Sequence, residues 1–376
     1  MTREFRALGL MSGTSGDGVD ASIIQSDGET KYNVIYDDFY EYNSEIYDGI
    51  HSLKEKINSL SDLKLKSREI ISLEKEITLF HAKAIKENIM SRYNDIDLIG
   101  FHGQTIYHNI KDKISKQIGD GRLLSQLLNK TTIYHFREND INNNGAGAPL
   151  SPIFHKILAQ QNKIDLPLCI LNIGGISNIT IIKNKNYDIF KSLDIGPGNC
   201  LIDEWIRKNS EFKFDKDGLI ATKGIRNEII IEQAQELYLN RSDKEKLSLD
   251  TKDFDISFVR GLNLADGTTT LTDFTAKIIS SALISFSNIF KNADLKVLVC
   301  GGGRKNNYLI NAIKKNVSTK CIIQLIDEYG IDGDYVESQA FAYLAIRSYL
   351  NLPISFPETT GCSRPSTGGK IIEKLN

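Results

Sequence analysis

The chain has no Cys-x-x-Cys pair, no apolar run of membrane-spanning length and almost no net charge. Its five cysteines, Cys169, Cys200, Cys300, Cys321 and Cys362, are scattered through 376 residues. An odd, dispersed set argues against a disulfide framework and against a structural zinc site. Cys169 and Cys300 lie in apolar strand-like runs, where a buried reduced thiol is the default. Met1-Thr-Arg-Glu-Phe5 has no signal-peptide apolar core. A soluble, reducing compartment, the cytoplasm, is therefore expected. A net charge of −2 gives no electrostatic reason to expect nucleic acid or a membrane surface as partner. Lys-rich stretches such as Lys54-Glu-Lys56 and Lys64-Leu-Lys66 interleave with acids and read as solvated helix faces.

What the chain does have is a globular composition, 41% hydrophobic and 25% charged, at a length that favours two domains. Two glycine turns stand out. The first is Leu10-Met-Ser-Gly-Thr-Ser-Gly-Asp-Gly-Val-Asp20 and the second Leu171-Asn-Ile-Gly-Gly-Ile-Ser-Asn-Ile-Thr180. Each sits between apolar runs of strand length. Such a turn lets backbone N–H groups approach phosphate oxygens without a Cβ in the way. Here the glycines lead from strand to strand, not from strand to helix as in dinucleotide and Walker-type motifs. Two such turns half a chain apart suggest two similar lobes gripping one nucleotide.

Phe5–Met11, Val19–Gln25 and Asn33–Tyr42 read as strands. Mixed three and four spacing of apolar residues from Ser61 to Tyr93 predicts one or two amphipathic helices. Ile96–Phe101 reads as a short buried strand ending in His102-Gly-Gln-Thr105. The turn-rich segment Asn139–Pro149 places a lobe boundary near residue 140. The strand pattern restarts at Leu168. Tyr187–Ile195 is predicted as a strand, with helices from Cys200, over Asp273–Phe290, from about Asn307 and over Tyr335–Tyr349. The stretch 240–266 is polar and unassigned. The lobes expected are 1–140, joined by 350–376, and 141–349.

Several positions could carry chemistry. In Ser12-Gly-Thr-Ser-Gly-Asp-Gly18 the glycines Gly13, Gly16 and Gly18 free the backbone, and Ser12, Thr14 and Ser15 offer hydroxyl donors. Asp17 beside phosphate makes sense with Mg²⁺ between them, since that ion takes carboxylate and phosphate oxygens together; an ordinary Asp-Gly hairpin turn is the plainer reading of Asp17-Gly18. Asp194, in Leu193-Asp-Ile-Gly-Pro-Gly-Asn199, is predicted at a strand end, where a carboxylate facing a cleft would serve as general base; a turn or N-cap Asp is the alternative. Cys300-Gly-Gly-Gly-Arg304 runs from strand to helix, and its glycines would let a ring or ribose lie against the backbone, unless this is only a tight turn. His102 and His108 flank Gly103-Gln-Thr105 without a third ligand at recognisable spacing, so a hydrogen-bonding sugar site using Gln104 and Thr105 fits better than zinc. Arg137 and Asp140 would bind a carboxylate and hydroxyls, or simply pair on the surface. Glu337 opens an apolar helix, where a glutamate ordinarily complements the dipole. Trp205 reads as core.

Taken in order, these motifs resemble the 1,6-anhydro-N-acetylmuramic acid kinase family of the actin/hexokinase ATPase superfamily. The likeness runs from Leu8 to about Gly369. It rests on Gly9-Leu-Met-Ser-Gly-Thr-Ser-x-Asp-Gly-Val-Asp20, Phe101-His-Gly-Gln-Thr-x-x-His108, Gly147-Ala-Pro-Leu150 with Phe154-His155, and Asn172-Ile-Gly-Gly-Ile-x-Asn178. It continues through Asp194-x-Gly-Pro-Gly-Asn199, Cys300-Gly-Gly-Gly303, Glu337-x-x-Ala-Phe-Ala342 and Thr359-Thr-Gly361.

The resemblance implies an α/β, two-lobed actin-like (ribonuclease H-like) fold, with mixed sheets flanked by helices and the active site in the interlobe cleft. It implies an ATP- and Mg²⁺-dependent kinase that opens the anhydro ring of anhydro-N-acetylmuramic acid and phosphorylates O6 in peptidoglycan recycling. Asp194 matches the base that activates water, and Glu337 an acidic residue near that centre. Ser12 to Asp17 matches the first phosphate loop, with Asp17 toward the metal. Gly174, Gly175 and Asn178 match the second, and Gly301, Gly302 and Gly303 the adenosine loop. Gln104, Thr105, Arg137, Asp140, Gly196 and Asn199 are assigned to the sugar. A homodimer is expected on the resemblance alone. Three departures stand out: Gly16 where the family usually has Leu, His135 where it usually has Asp, and Asn143-Asn-Gly-Ala-Gly147 where it usually reads Gly-Gly-Gln-Gly. The last two bear on the sugar, so a kinase for a different sugar, or a nucleotide or muramyl-sugar sensor without turnover, stand as alternative readings.

Overall fold

The computed structural model describes residues 3–374 except 185, 241–247 and 292. The unassigned stretch 240–266 therefore lies partly outside the described residues. Twelve strands are present among those described: β1 (Phe5–Ser12), β2 (Gly18–Ser26), β3 (Tyr32–Glu41), β4 (Leu98–Asn109), β5 (Ile114–Ile118), β6 (Thr131–Tyr134), β7 (Leu168–Ile173), β8 (Ile176–Ile182), β9 (Ile189–Pro197), β10 (Leu295–Cys300), β11 (Cys321–Leu325) and β12 (Lys370–Ile372). The helices are α1 (Ser44–Lys56), α2 (Leu60–Leu65), α3 (Ser67–Ala84), α4 (Gly121–Leu128), α5 (Glu138–Asn142), α6 (Pro152–Gln161), α7 (Cys200–Asn209), α8 (Glu228–Leu239), α9 (Leu264–Ser287), α10 (Asn307–Asn316), α11 (Val336–Tyr349) and α12 (Pro357–Thr360).

The chain divides into two compact units, 1–161 with 335–376, and 162–334. In the first, the strand order is β12-β6-β4-β1-β2-β3, with β5 on β4; in the second it is β11-β10-β7-β8-β9. Both share one plan. An antiparallel meander (β1-β2-β3, β7-β8-β9) is extended beyond its first strand by two parallel strands (β4 and β6, β10 and β11). The parallel pairs need crossovers, which the helices supply. Two copies of this plan in one chain are the duplicated α/β architecture that the two glycine hairpins suggested.

The boundary differs from the expected one. The first unit runs on to residue 161, and the chain returns to it at Tyr335, not near 350. Packing explains this. Helix α11 lies on β1, β2 and β4. Gly9 and Gly100 are cross-strand neighbours. A Cβ on Gly9 would fall 2.0 Å from the Ser338 carbonyl oxygen, and one on Gly100 2.3 Å from that of Phe341. The two bare positions form the floor on which α11 rests, so Glu337 belongs to the first unit rather than to the 141–349 lobe. Ser22 and Ser338 hydroxyls also meet at 2.6 Å.

Elsewhere, β4 continues through His108 instead of stopping at Phe101, because β5 pairs with its second half. Likewise β9 extends to Pro197, so Asp194 sits within a strand. Helix α9 begins at Leu264, nine residues before the expected start, capped by the Asn263 side chain on the Asp266 amide. Each unit has its own apolar core. Leu8, Leu10, Ile23, Ile50, Ile77 and Phe101 lie at the centre of the first. Leu171, Ile181, Val297 and Ile313 lead one cluster of the second, and Trp205, with Ile206 and Phe274, anchors another.

Candidate active site

In the first unit the turn between β1 and β2 is held from several sides. Gln104 Nε2 donates to the Gly13 carbonyl at 2.9 Å. Lys54 Nζ donates to Thr14 O at 2.6 Å, and His51 Nε2 lies 2.9 Å from Ser15 O. Ser15 Oγ donates to Asp17 Oδ1 at 2.6 Å, and the Tyr42 amide donates to Asp17 O at 2.8 Å. Ser12 Oγ pairs with the buried Tyr42 hydroxyl at 2.7 Å. Thr14 and Ser15 are exposed and Asp17 half-buried. Gly16 has φ +66°, and a Cβ there would stand 2.9 Å from Ile50 Cγ2. That accounts for glycine at this departure from the family pattern.

Gln104 is fully buried, and its Oε1 finds no partner among the described residues. The sugar assignment made from sequence thus meets a residue tied to the first glycine turn. Thr105 is half-buried and accepts from Gln117 Nε2 at 3.1 Å. Next to it, His102 is buried and its pKa is pushed well below the ordinary value, by burial first and by the charge of Arg137 second. The neutral ring donates from Nδ1 to Gly103 O at 2.8 Å and accepts at Nε2 from Arg137, whose Nη2 lies 2.9 Å away. Arg137 also donates to Gly147 O at 2.8 Å. Its guanidinium is therefore held in one orientation, which a surface pair with Asp140 would not achieve.

Asp140 requires a correction. It is 1% exposed, and its oxygens accept from the Gly147 amide at 2.7 Å and the Thr360 hydroxyl at 2.6 Å. It does not face solvent as a sugar ligand; it folds the Gly145–Gly147 loop onto the segment of Thr360. Its i+5 and i+7 neighbours are glycines because the loop wraps tightly: a Cβ on Gly145 would lie 2.1 Å from Asp140 Oδ2.

In the second unit, the glycines of the β7–β8 turn are locked to the loop before α7. The amides of Gly198 and Cys200 donate to Gly175 O at 2.9 and 3.1 Å, and that of Asn199 to Gly174 O at 2.8 Å. Asp194 of β9 faces Asn178 of β8 across the ladder. It is half-buried, and its Oδ2 accepts from the Leu249 amide at 2.7 Å. So the stretch that sequence left unassigned supplies a partner of the candidate base. Gly196 is buried, with no room for a Cβ beside Ile278, 2.5 Å away. It lies within β9 opposite Ser177, across the bulge that separates it from Asp194. Asn199 is half-buried at the N-cap of α7 without a side-chain cap bond.

The Gly301–Gly303 turn leaves β10. Gly301 has φ +79° and donates to Gly333 O at 2.9 Å. Gly303 abuts Ile173, while a Cβ on Gly302 would meet nothing within 4 Å. Arg304 follows, 6% exposed and engaged with Asp327, Asp332 and Asp334. Its hydrogen bond holds Asp327 below the usual carboxylate range. Asp215-x-x-Gly218-x-x-Ala221-x-x-Gly224 carries a regular spacing that is a usable signal of its packing role. Asp215 is buried and accepts from the Ile220 and Ala221 amides. Gly218 packs on Asn306, the N-cap of α10, and Gly224 on Ala265 and Thr269 of α9. No such signal marked Leu249, whose contribution is a backbone N–H.

The family model for anhydro-N-acetylmuramic acid kinase matches residues 5–374. The chain belongs to the anhydro-N-acetylmuramic acid kinase family. A curated member from Pelagibacter ubique is 53% identical over 373 residues, covering 99% of this chain and all of the relative. One from Zymomonas mobilis is 36% identical over 372 residues, covering 97% and 99%. Among solved structures, the activator of a 2-hydroxyisocaproyl-CoA dehydratase from Clostridium difficile with bound ADPNP is similar over 92% of this chain and 96% of its own, at 13% identity and a TM-score of 0.41. The glycine motifs of the sequence fall in the β1–β2 and β7–β8 turns, at the end of β9 and after β10; the others lie in β4, before α6, in α11 and in α12.

Proposed function

We propose that this protein is an ATP-dependent kinase that hydrolytically opens the 1,6-anhydro ring of anhydro-N-acetylmuramic acid and phosphorylates O6. The product is N-acetylmuramic acid 6-phosphate, formed in recycling of peptidoglycan fragments. The observation that carries the reading is the full-length family match; Asp194, which the resemblance assigns as the base, accepts from the Leu249 amide, which supports it.

The chemistry follows from these groups. Asp194 takes a proton from water as the water oxygen bonds to the anomeric carbon. The C1–O6 bond breaks, and O6 bonds to the γ-phosphorus while ADP leaves. One water and one phosphoryl group are added to the sugar. Phosphoryl transfer depends on positioning and charge neutralisation, which glycine turns supply through backbone N–H groups. The side-chain anchors on the Gly13, Thr14 and Ser15 carbonyls support a fixed first phosphate loop. Arg137, oriented by His102, is suited to the carboxylate of the sugar's lactyl group.

Mg²⁺ bound with nucleotide keeps several waters and needs few protein carboxylates. Asp17, half-buried in the first loop with a hydroxyl on one oxygen, fits that demand and would hold it; when bound, the ion neutralises phosphate charge. The five free thiols support a reducing, cytoplasmic setting. Homodimerisation is proposed on the resemblance alone.

The test is ADP release with MgATP and anhydro-N-acetylmuramic acid, following the sugar by mass spectrometry. Sugar-dependent release with a product heavier by one phosphoryl group and one water supports the reading. ATP binding without turnover of this sugar would replace it with a kinase of different specificity or, if a wider sugar panel failed, a sensor.

A further inference from the structure

Arg304 directly follows the Gly301–Gly303 turn, yet nothing in the reaction uses it. It is 6% exposed and spends its whole guanidinium within the second unit. Nε and Nη2 form a bidentate pair with Asp327 at 2.8 and 2.9 Å. Nη1 donates to Asp334 at 2.5 Å and to the Gly301 carbonyl at 3.3 Å, and Nη2 to Asp332 at 3.2 Å. Gly333 leaves the space this needs, since a Cβ there would stand 2.5 Å from Nε. The Gly301 amide donates in turn to Gly333 O. Segment 330–334 and the glycine turn are thus stitched together twice, by backbone and by guanidinium. A planar fork serves several carboxylates in fixed directions, which a lysine cannot.

We propose that Arg304 is a positioning residue for nucleotide: it fixes the Gly301–Gly303 turn against segment 330–334 so that the open side at Gly302 is presented to the nucleoside end of ATP. The inference rests on the kinase reading and deepens it. The charge balance selects the nucleoside end. Around Arg304 and Lys305 stand Asp327, Asp332 and Asp334, and Lys305 pairs with Asp334 at 2.5 Å. Three carboxylates against two cations leave no positive surplus for phosphates, whereas an uncharged adenosine is not repelled. Asp334 is also the last residue of the second unit before the chain returns to the first. Segment 330–334 therefore has no freedom to drift away from the turn while Arg304 holds it.

The test uses the full chain in calorimetric titration with MgATP and with ADP, comparing wild type, Arg304→Lys and Asp327→Asn. Both variants should melt cooperatively and bind each nucleotide about tenfold more weakly, the scale of one charge-assisted hydrogen bond lost. KM for the sugar should be unchanged. Nucleotide binding within twofold of wild type in a folded variant would overturn the proposal. So would a loss confined to ATP, which would put the effect at the γ-phosphate, or an equal rise in KM for sugar, which would mark general loosening. If Arg304→Lys fails to fold, Asp327→Asn decides, because Asp327 is partly exposed and keeps its shape. Wild-type protein that binds no nucleotide would instead overturn the kinase reading.

Discussion

The backbone amide of Leu249 donates to Oδ2 of Asp194 at 2.7 Å, across 55 positions of chain. An N–H aimed at a carboxylate favours its charged form, the form a general base needs. Leu249→Pro deletes that donor. The base should then hold its proton to higher pH, and the acid limb of kcat/KM should move up. Leu249→Ala keeps the N–H and should leave the limb in place. A pH–rate profile of the two variants separates them; coincident profiles would remove the amide from the mechanism.

Asp194→Asn should abolish turnover by about 10³-fold or more while nucleotide still binds, as expected when a base is lost without its shape. Steady-state ADP release and a nucleotide titration on the same preparation check this. Near-normal turnover would strip Asp194 of its role.

Gly302 and Gly303 should respond differently to the same change. A methyl on Gly302 enters open space, and one on Gly303 would collide with Ile173 Cγ2 at 2.2 Å. Gly302→Ala should therefore keep its melting temperature and lose ATP affinity. Gly303→Ala should melt lower, by the few kcal/mol (~1–3) typical of overpacking. Paired thermal melts and ATP titrations read both. Unchanged ATP affinity in Gly302→Ala would show that no ligand lies on that side.

Acid should weaken the first unit before carboxylates titrate. Burial pushes His81 down to about 4 and His155 to about 3, and His102 also lies well below its ordinary value. In the unfolded chain each takes a proton near pH ~6.5. A depressed folded pKa gives stability that is complete above the unfolded value and is lost as pH falls through the folded one. Three such groups give a slope of up to about 4 kcal/mol per pH unit between pH ~6 and ~4. Chemical denaturation across that range measures it. His155→Gln should flatten the slope by about a third, and an unchanged slope would count against a neutral buried His155.

Asp17→Asn should raise the Mg²⁺ concentration needed for half-maximal rate, because a neutral amide is a poor ligand for a hard cation. A magnesium titration at saturating ATP shows it. An identical curve would move the metal elsewhere.

Much of this was readable along the chain. The β1–β2 and β7–β8 hairpins announced themselves because strand alternation and glycine turns are local patterns. The strand into Gly301–Gly303 and the helix after it were legible for the same reason. The spacing of Asp140 from Gly145 and Gly147 says nothing about its burial, and its partner Thr360 lies 220 positions away. The helix of Glu337 belongs to the first unit because of the strands that it rests on, which its own residues do not announce. Gly9 and Gly100 look like unremarkable strand residues until their missing side chains meet α11.

The sequence by itself determined the two glycine hairpins, the strands that flank them, the family and the position of a candidate base, Asp194. Each of these is written in residues a few positions apart, where backbone preference and side-chain chemistry act directly. Only the tertiary structure decided which distant groups complete them: Leu249 on Asp194, Gln104 on Gly13, three aspartates on Arg304. Those pairings depend on how sheets and helices close-pack, and a backbone N–H or a carbonyl, which nearly every residue carries, leaves no mark in the order of side chains.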